Sequence, residues 1–140
     1  MLFTLVNPSF FAYPMPTFDA LDGFDVADAV ERMLGQQRLW LQALALFVEH
    51  FADWEGNWCN SQGDAVRERK SVHALRSSAA NIGASRLAAC AAALEMAIAE
   101  DGASCRLNVL RQDLAEEFRC SWTAASEALA QIARDSGGAL

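Results

Sequence analysis

The sequence predicts an all-α fold, an antiparallel four-helix bundle with a short additional helix on its N-terminal side. Three observations predict it. After Pro16 the chain contains no proline. Its glycines (Gly23, Gly35, Gly56, Gly63, Gly83, Gly102, Gly137 and Gly138) fall between stretches rich in Ala, Leu, Glu, Gln and Arg, the pattern of helices separated by residues that end them. No apolar–polar alternation of strand length occurs, and helices joined by short connections settle side by side in opposite directions.

Taken in order, Asp25 is placed to cap a first, short helix running to about Leu34, with Asp28 in the first turn, where a carboxylate suits the helix dipole. Gly35 ends it. A second helix, from about Gln37 to Trp54, carries Leu41, Leu44, Phe47, Val48 and Phe51 at helical spacing and so has one broad apolar face. Glu55 to Gly63 reads as a loop. A third helix starts near Asp64 and runs to Ile82, a fourth spans about Ser85 to Glu100, and a fifth about Ser104 to Ala133. The last sets Leu107, Leu110, Leu114, Phe118, Ser121, Ala125, Ala128 and Ile132 along one seam, in steps of three and four. Residues 19–140 make up the bundle. Residues 1–18 (MLFTLVNPSFFAYPMPTF) form an apolar arm without the basic start of a signal peptide and with three prolines that interrupt any membrane span. The arm is expected to pack on the bundle of a monomer, with a dimer contact as the alternative.

At 140 residues and 53% hydrophobic composition the chain matches one domain with one core. A formal net charge of −7 argues against a nucleic-acid partner, which calls for a basic surface. Cys59, Cys90, Cys105 and Cys120 form no CxxC pair, and only two histidines accompany them, so they read as free thiols of a cytoplasmic protein with neither metal nor cofactor. His50, near Phe47, Phe51 and Trp54, is expected at the edge of the core. Trp40 and Trp122 read as core or bundle edge, and Trp54 and Trp58 as flanking the loop.

The third helix carries the chemistry. Turning it by about 100° per residue from Leu75 puts Val72, Ser78, Ala79 and Ile82 within about 60° on the core face and His73 about 160° away, with Val66, Ser77 and Ala80 on the outer side. Arg69 and Lys70 precede His73 by one turn and Arg76 follows it, and five of the eleven basic residues of this acidic chain lie between Arg67 and Arg86. An exposed imidazole is largely neutral and nucleophilic near pH 7 without a buried base to activate it. A ring nitrogen of His73 is therefore a candidate to accept a phosphoryl group, with Arg69, Lys70 and Arg76 offsetting its charge. The small Ser77 and Ala80 leave room for a partner to approach the ring.

The run His73-Ala74-Leu75-Arg76-Ser77-Ser78-Ala79-Ala80-Asn81-Ile82-Gly83-Ala84, followed by Leu87, Cys90, Leu94 and Glu95, resembles the histidine-containing phosphotransfer (HPt) domain family. The family pattern is a histidine, a leucine two on, a basic residue three on, a glycine four on, small residues, Asn-Ile-Gly-Ala, and a next helix ending in Leu-Glu. Gly23 to Phe51 is similar to the family's short first helix, glycine turn and second helix. The resemblance implies that His73 is the phosphoacceptor, Arg76 the basic residue beside it, and Asn81 with Gly83 the turn that ends the phosphorylated helix. It implies as partners the receiver domains of response regulators or hybrid sensor kinases, docking over Ser77, Ala80, Asn81 and Gly83. The magnesium and the transfer machinery then belong to the receiver. Ser77 departs from the family, standing where glycine is usual, and narrows the approach to the ring.

Autokinase activity is not expected: Ala74 follows the histidine where sensor kinases usually have an acidic residue, and no glycine-rich nucleotide loop is present. The competing expectation is a helical interaction module that docks on a receiver and sequesters it without carrying phosphate.

Overall fold

The computed structural model describes residues 21–100 and 104–138, all of whose regular elements are helices. They are α1 (Val26–Arg32), α2 (Gln37–His50), α3 (Trp54–Ser61), α4 (Ala65–Asn81), α5 (Ser85–Ala99) and α6 (Ser104–Gly138). None of them is long and apolar enough to cross a membrane. The arm, residues 1–18, lies outside the described residues, and with it the expectation of a dimer contact there.

Local chemistry sets the boundaries. Asp25 caps α1, its Oδ1 accepting from the Asp28 N–H at 3.1 Å, and Asp64 caps α4 by accepting from the Arg67 N–H at 3.2 Å. The expected stop after α1 is shifted by one residue. Leu34 takes the left-handed conformation (φ 61°) and Gly35 follows at φ 73°, with Leu34 N–H donating to Glu31 C=O and Gly35 N–H to Val30 C=O. This is a Schellman ending in which a leucine, 85% exposed, occupies the position glycine would hold without strain.

α4 packs against α5, α5 against α6, α6 against α2, and α2 against α4, while α1 lies on α2 and α3 on α4. The core they enclose takes Trp40, Leu41 and Leu44 from α2, Val72 and Leu75 from α4, Leu87 and Leu94 from α5, and Leu114, Phe118 and Ile132 from α6. Each large side chain of this kind contributes about 1.5–3 kcal/mol when fully buried. Two indoles tie the helices together. Trp40 Nε1 donates to Ile82 C=O at 2.9 Å, joining α2 to the end of α4, and Trp122 Nε1 donates to Val48 C=O at 2.9 Å, joining α6 to α2.

Two expectations are corrected here: α2 ends at His50 and not at Trp54, and most of the segment Glu55 to Gly63, expected to be a loop, belongs to a helix, Trp54–Ser61. Gly56, Asn57 and Asn60 disfavour helix locally, but a helix turns Trp54 and Trp58 onto one face. There they stack with ring centroids 4.9 Å apart, and Trp54 meets Phe118 of α6 at 4.9 Å. Both are buried, so tertiary packing overrides local propensity. The last helix also runs on to Gly138, past the expected end at Ala133.

Candidate functional site

α4 turns Val72, Leu75 and Ala79 into the core and leaves His73 outside, its side chain 57% exposed. The short turn after α4 then brings α5 back alongside it. That return depends on Gly83, which has φ 79° and no room for a side chain: a Cβ there would lie 2.6 Å from the Asp25 carbonyl oxygen and 2.8 Å from Ala29 Cβ. The Asp25 N–H donates to Gly83 C=O at 2.7 Å. Gly83 is thus buried beneath the start of α1, a correction to its expected place on a docking surface.

With α5 in this register, Glu95 lies across from His73. Its Oε2 is 2.9 Å from His73 Nδ1 and its Oε1 accepts from Arg76 Nη1 at 2.7 Å. Burial works to raise the Glu95 carboxyl, but the hydrogen bonds from His73 and Arg76, with their charge, outweigh it and hold the group below the ordinary glutamate value. Glu95 is therefore ionised near neutral pH. A carboxylate can only accept, so the contact requires the hydrogen on Nδ1, and in the neutral ring the lone pair then sits on Nε2. Nε2 has no protein partner among the described residues.

The basic residues of the stretch from Arg69 to Arg86 differ in what they meet. Arg76 is engaged, held by Glu95 through one of its donors. Arg69 and Lys70 line a groove with His73 and hold no carboxylate among the described residues. Arg86 faces elsewhere and clamps Asp22 and Glu117, at 2.9 and 3.2 Å; its hydrogen bonds and charge hold the Asp22 carboxyl below its ordinary value. Among the expected docking residues, Ser77, Ala80 and Asn81 are exposed. Ser77 and Asn81 line a shallow depression of about 660 Å³ between α4 and α2, together with Ala43, Leu46, Phe47 and His50. His50 is itself a correction: it is exposed, not packed at the core edge.

Glu95 is the residue that reasoning on the third helix alone misses. The available signal is its setting, a lone carboxylate beside the buried Leu94 in a helix that after Arg86 is otherwise of alanine and apolar residues. A carboxylate drawn in among such neighbours requires partners. The four cysteines are free thiols, and no cluster among the described residues could hold a metal ion.

Neither the protein-family models nor the curated proteins include a match to this sequence, and no solved structure matches its fold.

Proposed function

We propose that the chain is a histidine phosphotransfer protein, taking a phosphoryl group from a receiver aspartate onto His73 and passing it to another receiver. On this reading the circuit of α2, α4, α5 and α6 is an antiparallel four-helix bundle, with α1 as its short extra helix. The observation that carries the reading is the exposed imidazole whose Nδ1 is held by an ionised, buried Glu95. That contact orients the ring and leaves Nε2 as a nucleophile without further activation.

The step balances without a cofactor on this chain. The Nε2 lone pair forms the P–N bond as the bond from phosphorus to the receiver's aspartyl oxygen breaks, and the electron pair leaves on the aspartate carboxylate. The ring becomes an imidazolium whose Nδ1–H remains on Glu95. That charge is stabilised by the carboxylate and makes the imidazole a good leaving group for the next transfer. Arg76 has donors to spare beyond its bond to Glu95 and stands beside the arriving phosphoryl, with Arg69 and Lys70 supplying positive field. Ser77, Ala80 and Asn81 supply the surface on which the receiver rests.

The test is incubation with a phosphorylated receiver. Label is expected to move to the wild type as an acid-labile, base-stable phosphoramidate, and His73→Gln is expected to take none while keeping its helical spectrum. Docking without label transfer would replace the proposal with the sequestering module, and label on a serine would displace His73.

A further inference from the structure

On the α5 side of His73 runs a groove of about 560 Å³, walled by Val66 and Ala74 of α4 and Ile98 and Ala99 of α5, with Arg69 and Lys70 on its rim. Val66 is 68% exposed there, and Met96, in the adjacent turn of α5, is 60% exposed. We propose that this groove seats an acidic amphipathic helix of a partner protein, on a surface separate from Ser77, Ala80 and Asn81. His73 and Glu95 also line the groove, with the Glu95 carboxylate already met by His73 and Arg76; the proposal concerns the unphosphorylated protein and does not require that His73 be a phosphoacceptor.

Shape argues for a helix. Two adjacent helices leave a trough between them, and the stretch from Ala65 to Ala74 is about 13 Å long, or two and a half helical turns. A helix laid along it would present apolar anchors at i, i+4 and i+7 to the walls. Charge argues for an acidic one. Arg32, Arg86, Arg106, Arg111 and Arg119 are each held by a carboxylate of this chain. Arg69 and Lys70, like Arg38, Arg67 and Arg134, are held by none among the described residues; of these five only Arg69 and Lys70 line the groove, in a chain whose net charge is −7. Carboxylates flanking the anchors of an incoming helix would meet these two cations and fix its register.

The same charges exclude other occupants. In a symmetric contact between two copies through this face, the cations of one copy would be driven against those of the other. A nucleic acid needs a broad basic surface, which an acidic chain with two local cations does not offer. A small anion would make no use of the apolar walls.

The experiment is a selection from a random library of helix-forming peptides against the immobilised, unphosphorylated full-length protein. The most enriched peptide is then titrated into isotope-labelled protein. Enriched peptides are expected to carry apolar residues at i and i+4 flanked by Asp or Glu, with amide shifts concentrated in Ala65–Ala74 and Glu95–Ala99. Val66→Glu, at an exposed position, is expected to weaken binding about tenfold or more, since it replaces an anchor contact with a like charge. Leu39→Glu, at an exposed apolar residue on α2, serves as the control and is expected to bind as wild type. Replacing Arg69 and Lys70 together with Gln is expected to flatten the salt dependence. The proposal is overturned by basic or uncharged enriched sequences, by shifts confined to the α2–α4 depression, by wild-type binding of Val66→Glu, or by no enrichment over protein-free support.

Discussion

Two buried glutamates stand on neighbouring helices, each gripping an arginine, and only one of them belongs to the candidate site. Glu68, on α4, is 1% exposed. Its two oxygens take both Arg111 Nη2 at 2.7 Å and Arg111 Nε at 3.0 Å from α6, and Trp58 Nε1 at 3.0 Å from α3. Every partner lies inside the fold, so the group acts as a three-helix staple. Glu95, on α5, has the same charge and is buried less completely, at 9% exposed, and its partners are His73 and Arg76, with side chains 57% and 45% exposed. The difference teaches that a buried carboxylate is not in itself a functional mark. What marks Glu95 is that it spends its desolvation on orienting a group that solvent and partners can reach.

Substitutions should separate the two. The largest effect is expected for Glu68→Leu, which leaves the Arg111 guanidinium and the Trp58 N–H without their acceptor in a largely closed site; stability should fall by about 3 kcal/mol. The measurement is the urea midpoint at unchanged slope, and an unchanged midpoint would dissolve the distinction between the two glutamates. Glu95→Gln should cost about 1 kcal/mol or less, because His73 and Arg76 can turn to water. Its main effect should be on phosphoryl uptake, slowed on the order of tenfold by analogy with the loss of a carboxylate that orients a metal-bound imidazole.

Acid sharpens the comparison further. The Glu95 carboxyl is held below its ordinary value in the fold, so its contribution to stability is fully present above the unfolded-state value. It should fade as the pH falls below about 4.3 toward the folded value. The stability difference between wild type and Glu95→Gln should therefore shrink across that range, and a difference that grew on acidification would reverse the assigned direction. The smallest effect is expected for His73→Gln, within about 0.5 kcal/mol of wild type in the same urea experiment, as befits an exposed position outside the core.

Much of this is legible in the sequence alone. The helix starts follow from Asp25 and Asp64, and the outward direction of His73 follows from the 3.6-residue period that sends Val72, Leu75 and Ala79 inward. What was not legible depends on contacts between distant segments. α3 forms against the preferences of Gly56, Asn57 and Asn60 because Phe118, far along the chain, receives Trp54. Glu95 meets His73 only because the Gly83 turn sets the register of α5 against α4, and no local pattern encodes that offset. The aromatic neighbours of His50 in sequence place it at the core edge, but it stands at the end of α2, where the helix face has turned toward solvent.

The four indoles carry an optical consequence. Each has its N–H satisfied within the fold, at Ile82 C=O, Ser71 C=O, Glu68 Oε2 and Val48 C=O, and none lines the groove at His73 or the depression at Ser77. Intrinsic fluorescence of this protein should therefore shift to longer wavelength when the chain unfolds and stay nearly silent when a partner docks or the imidazole is modified. Tryptophan emission thus reports one event cleanly, and binding has to be followed through a chromophore placed on the partner or through the amides of α4 and α5.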